Sequence, residues 1–159
     1  MRCIAIRVSP SEIFYAIGEA DRDDSYEYSL ESIIVPKILE IPDRLSYVRN
    51  VLQSIVTEQK ITYAGLRLSE GNAQSQSIDR IYLEGVIQEF FSNSSIEVYQ
   101  TFRIPSLAAK INKKSSEVKQ WIKDGKMLDE YFDEWSTLKV EKREALLILH
   151  VLMGGDFGE

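Results

Sequence analysis

The hydrophobic period of this sequence changes at Asp43, and the change limits the folds open to it. Before that point the patterning is of β type. Cys3 to Ile6 is an apolar run without polar alternation, as in a central strand buried on both faces. Ser9-Pro10-Ser11 is a turn signal and Ile13 to Ile17 is rich in β-formers, so residues 2–8 and 12–19 form a hairpin. A third strand returns with Tyr26, Tyr28 and Leu30 on one face and apolar residues on to Val35. The acidic stretch 19–31 between them is expected to be a solvated hairpin tip.

From Asp43 the spacing is helical. Leu45, Val48, Leu52, Ile55 and Val56 predict a helix over about 43–59, capped by Asp43 after Pro42. Ile61 to Leu68 is again a short β-type run. After the loop Ser69-Glu70-Gly71-Asn72 a long helix is predicted through Ile78, Tyr82, Val86 and Phe90. Ile96, Val98 and Tyr99 predict a fifth strand. Pro105-Ser106 opens a short helix, and Ser115-Ser116-Glu117 opens another that ends at Gly125. Residues 127–138 carry no pattern that assigns them. Val140 to Met153 closes the chain with a helix apolar all round, which is buried or covered by a partner.

With 159 residues and no interdomain linker, the chain is expected to be one α/β domain over 1–159. Its antiparallel meander must join two parallel strands reached by right-handed helical crossovers, which a central first strand between the second and fourth satisfies. The absence of a long apolar run and of a signal-peptide pattern predicts a cytoplasmic protein without membrane contact. One cysteine and one histidine leave no basis for an internal disulfide or a soft-metal site.

Charge divides the sequence. Between residues 103 and 126, Arg103, Lys110, Lys113, Lys114, Lys119, Lys123 and Lys126 outnumber Glu117 and Asp124 by five, against a net charge of −6 for the whole chain. Two readings are open for this segment: an ordinary lysine coat on exposed helices, or a patch that contacts a nucleic-acid backbone. Other groupings are chemically inert by inspection. No orienting acid accompanies His150 and no oxyanion hole accompanies Ser9 or Ser11, so His150 is expected to pack or cap. Trp121 and Trp135 are expected to cover core, and Cys3 to be a small buried hydrophobe.

Several strings, in their order, resemble the ribonuclease H-like superfamily, in particular its RuvC-like Holliday-junction resolvases. They are Ile4-Ala5-Ile6-Arg7-Val8-Ser9-Pro10-Ser11 with Phe14-Tyr15-Ala16-Ile17, then Tyr82-Leu83-Glu84-Gly85-Val86-Ile87, then Glu141-Lys142-Arg143-Glu144-Ala145-Leu146-Leu147. The resemblance implies a ribonuclease H-like α/β fold, a five-stranded mixed sheet of order 3-2-1-4-5 with helices on both faces. It also implies that Gly85 packs against that sheet. In such nucleases a first-strand aspartate, a glutamate ending strand 4 and two C-terminal acids hold two Mg²⁺ ions across one phosphate. Here the first position is Arg7 and the second is Arg67 or Leu68, neither a metal ligand. Glu141 and Glu144 keep acidic character, and Glu70 lies just beyond strand 4.

Three functions follow as expectations. The first is a catalytically inactive RuvC-like domain that binds or assembles with an unknown protein partner or as a homodimer, its old site closed by Arg7 pairing with Glu144 or Glu141 and no cofactor bound. The second is a Mg²⁺-dependent nuclease of structured nucleic acid using Glu70, Glu141 and Glu144. The third is non-catalytic nucleic-acid binding through the basic segment.

Overall fold

A computed structural model describes residues 1–20, 26–71, 76–124, 128–129, 131–132 and 134–155. Five strands form one sheet: β1 (Arg2–Val8), β2 (Glu12–Ala20), β3 (Tyr26–Ile34), β4 (Tyr63–Arg67) and β5 (Val98–Phe102). Their order is β3-β2-β1-β4-β5. β1 is antiparallel to β2 and parallel to β4, and β4 is parallel to β5. The sheet is therefore mixed and ordered as expected. Alternation along β1 sorts its side chains between two layers. Ile4, Ile6 and Val8 point to one face with Leu66, where helices α1 (Ile41–Gln59) and α2 (Ile78–Ser92) cover them. Cys3 and Ala5 point to the other, where α5 (Val140–Leu152) lies with α3 (Ile104–Lys110) and α4 (Ser115–Lys123) beside it.

The second face is paved with small residues. Cys3, Ala5, Ala16, Gly18 and Gly65 lie on neighbouring strands in register, and their lack of bulk lets α5 press against the sheet. A Cβ on Gly65 would come within 2.6 Å of the Ile148 side chain and 3.0 Å of Leu152. Glycine is required there by closeness of approach. The apolar helix Ala145–Leu149 is thus buried by its own chain, against β1, β2 and β4.

Several local expectations change. α1 begins two residues early, with Glu40 at its N-cap and Asp43 inside the first turn, because Pro42 suits a first-turn position. β4 starts at Tyr63 and β5 runs past Tyr99 to Phe102. The expected stop at Gly125 and the centre of the acidic tip, residues 21–25, lie outside the described residues. The unassigned stretch holds core: Leu128, Phe132 and Trp135 are buried, and Phe132 and Trp135 stack with ring centroids 5.3 Å apart. His150 packs edge-on against Phe132. Trp121 is buried too, closed to stacking on a base.

The largest correction concerns α2. Its buried face is Leu83, Glu84, Ile87, Phe90 and Phe91, while Ile78 and Tyr82 are exposed. Steps of four residues advance about 40° beyond a full turn each, so three of them carry Ile78 well away from the face of Phe90. Gly85 turns with them. It does not pack against the sheet, and a Cβ there would meet nothing within 4 Å. Among the described helices none is long and apolar enough to cross a membrane.

Candidate functional site: a charge cluster at the sheet edge

Arg7 and Arg67 end the two central parallel strands and are partners in register, so their side chains leave the same face about 5 Å apart. Two guanidinium charges at that spacing repel by about 3 kcal/mol at an effective dielectric near 20. Something must offset this. Glu144, on the second turn of α5, reaches between them: its Oε2 lies 2.5 Å from Arg7 Nε and 3.5 Å from Arg67 Nε. Each attraction at roughly 4 Å between charge centres is worth about 4 kcal/mol on the same scale, so the trio is held together. All three residues are buried. The close floor under α5 puts the carboxylate there.

The cluster extends outward. Arg67 Nη2 is 3.0 Å from Glu70 Oε1, and that oxygen also accepts a 2.8 Å hydrogen bond from the Ile104 amide at the start of α3. Arg67 donates to the Leu68 carbonyl, and Arg7 donates to the Arg67 carbonyl at 3.4 Å. Glu84, buried on α2, accepts from the Ser69 amide at 2.9 Å and from its hydroxyl at 2.7 Å. Arg80, one turn earlier, brings a third guanidinium close enough to feel Arg7, Glu84 and Glu144. The Nε atoms of all three arginines and Glu144 Oε2 are enclosed without an aligned hydrogen bond, so charge rather than directed bonding holds the centre. Burial pushes the Glu144 carboxyl up, against the pull of Arg7 and Arg67. Burial likewise pulls Arg67 down, opposed by Glu144.

Of the acids named from sequence, Glu144 and Glu70 meet at Arg67, while Glu141 is half-buried and in no ion pair among the described residues. Glu84, Ser69 and Arg80 were not anticipated. Glu84 had a signal, since it lies between Leu83 and Ile87 on the face that turns inward. Arg143 had none. It is buried beside Glu144 and donates to the carbonyls of Ile122 (2.8 Å), Trp135 (2.9 Å) and Ser136 (2.8 Å), tying α4 and the following turn to α5.

These residues do not fit a pair of Mg²⁺ ions. A hard dication needs several free oxygen ligands, but Glu144 is held by two arginines, Glu70 by Arg67 and an amide, and Glu84 by Ser69. Among the described residues no three His, Cys, Asp or Glu are grouped to hold a metal.

The basic segment is spread along a helical hairpin. Arg103 donates to the Ser69 carbonyl at 3.0 Å, at the edge of the cluster. The last turn of α4 is tied to α5, where Arg143 donates to the Lys123 carbonyl at 3.4 Å. Lys110, Lys113 and Lys114 stand at the α3–α4 turn, about 10 Å away by helical rise. Lys119 projects from the exposed side of α4.

Solved structures share this fold. RuvC of Thermus thermophilus superposes with a TM-score of 0.66 at 8% identity, covering 97% of this chain and 97% of its own. The fold is that of the RuvC-like resolvases. The fowlpox virus Holliday junction resolvase matches with a TM-score of 0.57 at 15% identity, over 97% of this chain and 99% of its own. T. thermophilus RuvC in complex with Holliday junction substrate matches at 0.60 and 9% identity, over 96% of this chain and 92% of its own. No protein-family model and no curated protein matches the sequence. The likeness to RuvC is one of backbone, and the charge cluster stands at the edge where β1 and β4 of this RuvC-like sheet end.

Proposed function

We propose that this chain is a RuvC-like domain without phosphodiesterase activity, serving as a binding or assembly module. The observation that carries the reading is Arg7 and Arg67 closed on Glu144. Two-metal hydrolysis needs cations that both bridge a phosphate and free an attacking water. A guanidinium fixed to a buried carboxylate supplies a charge but no exchangeable coordination position. Opening the cluster to admit Mg²⁺ would strand buried charges, which costs several kcal/mol. Nucleic acid is one partner class in reach, since a RuvC of this fold has been solved with Holliday junction substrate and Arg103 lies at the edge.

The test is to incubate the protein with four-way and linear DNA in Mg²⁺ or Mn²⁺, scoring cleavage and retention at two salt concentrations. No cleavage is expected. Cutting that Glu144→Ala abolishes overturns the reading. Retention that weakens steeply with salt favours nucleic acid as the partner, and neither cutting nor retention leaves protein as the default.

A further inference from the structure

Of the two strands that end the sheet, β3 is the longer, nine residues against five in β5. It pairs with β2 in unbroken register from Glu12 opposite Ile34 to Ala20 opposite Tyr26. The Val35 amide donates to the Ser11 carbonyl at 2.9 Å, which continues that register and fixes its phase. Alternate residues therefore turn their amides and carbonyls to β2, while Leu30, Ser32 and Ile34 turn theirs outward. Proteins commonly blunt such an edge with proline, lysine or a bulge. β3 has none of these. Its charged side chains are Glu27 and Glu31, both exposed and in no ion pair among the described residues. They share one face with Ser29. Beside Glu27 that face sinks into a cleft of about 290 Å³ that reaches Gln59 at the end of α1. Arg2 in the cleft is already held by Glu19 at 2.9 Å and by the Gln59 carbonyl at 3.0 Å, which leaves Glu27 for an incoming cation. On the other face Leu30 is half-buried against the α5 core, and Ile34 at the strand end is 73% exposed.

We propose that β3 is a docking edge for an extended basic segment of a partner protein, which adds to the sheet as a sixth, antiparallel strand. Leu30, Ser32 and Ile34 supply the main-chain hydrogen bonds that set its register. The residues between them fall at non-hydrogen-bonded positions, where facing Cα atoms are only about 4.5 Å apart. Side chains opposite Glu27 and Glu31 therefore meet a carboxylate directly, and these two positions of the incoming strand, four residues apart, call for Lys or Arg. Positions beside Leu30 extend the α5 core and call for apolar side chains. Charge selects this occupant over two others. A second copy would bring glutamates to the same acidic edge, and like charges facing across strands are destabilising. A nucleic-acid backbone is anionic and is repelled there. The edge shares no residue with the charge cluster and docks such a segment whether or not that cluster is catalytically silent.

Fluorescence anisotropy of a labelled peptide carrying Lys-Val-Thr-Val-Lys reads the docking on the full chain, with circular dichroism on each variant. Saturable binding is expected below about 1 mM. A peptide of like charge with its lysines on the other face, Val-Lys-Thr-Lys-Val, binds at least about tenfold more weakly, and Glu31→Lys weakens the first peptide by as much. N-methylation of both valines removes the amides that face β3 and abolishes binding. Ser32→Pro deletes one outward amide, leaves the ladder to β2 whole and weakens binding at least about threefold. Should Ser32→Pro unfold the chain, the methylated peptide against the wild type reads the same bonds. A chain that binds no peptide saturably overturns the proposal. So does binding indifferent to lysine position or to N-methylation, which is charge attraction without an added strand.

Discussion

The two faces of the sheet solve the same packing problem with opposite materials. Toward α1 and α2 the strands present Ile4, Ile6, Val8 and Leu66, bulky side chains that fill the space to the helices. Toward α5 they present Cys3, Ala5, Ala16, Gly18 and Gly65, and the helix itself fills the space. The first face is an ordinary core that tolerates exchange of one apolar shape for another. The second fixes a helix at close range, and at its end the same spacing delivers Glu144 onto Arg7 and Arg67. A charge cluster needs that fixed spacing, since a dislodged ion pair loses its attraction and keeps its desolvation cost.

The contrast can be broken by substitution. Glu144→Ala leaves two buried guanidinium groups facing each other, and chemical denaturation should show a loss of about 3–5 kcal/mol. A loss below about 1 kcal/mol would mean that the cluster does not hold α5. Gly65→Ala forces Ile148 aside and should cost about 1–3 kcal/mol by the same assay. On the opposite face Ile6→Val should cost only about 0.5–1.5 kcal/mol, and a larger penalty there would erase the distinction between faces. The smallest effect is one of pH. Burial pushes the Cys3 thiol from 9.0 up to about 11, so the folded chain keeps a proton that the unfolded chain gives up. Stability is untouched at neutral pH and falls as the pH rises from about 9 toward 11. Cys3→Ala should remove that slope from a pH series of thermal melts.

Much of this architecture was legible in the sequence because it rests on local periodicity. The unbroken apolar run of β1, the alternation of Tyr28 and Leu30, and the helical spacing from Leu45 are properties of short windows. α2 was legible as a helix but misjudged in rotation, since its exposed Ile78 and Tyr82 carry the same apolar signal as its buried Leu83 and Ile87. At the cluster, Arg7, Arg67, Glu70 and Glu144 could be named because the resemblance to the RuvC-like resolvases pointed to their positions. Arg80 could not, because its role arises where α2 passes the end of β4, a contact across the fold, and Glu84 had only its place between Leu83 and Ile87. Residues 127–138 were opaque for the same reason. Trp135 is buried and Arg143 binds its carbonyl, and no spacing within the segment announces that bond.

Arg143 has a mechanical consequence. One guanidinium is bolted to backbone oxygens of α4 and of the 135–137 turn, while its neighbour Glu144 is anchored in the sheet. Any tug on the outer helical hairpin therefore travels through two adjacent side chains to the strand ends.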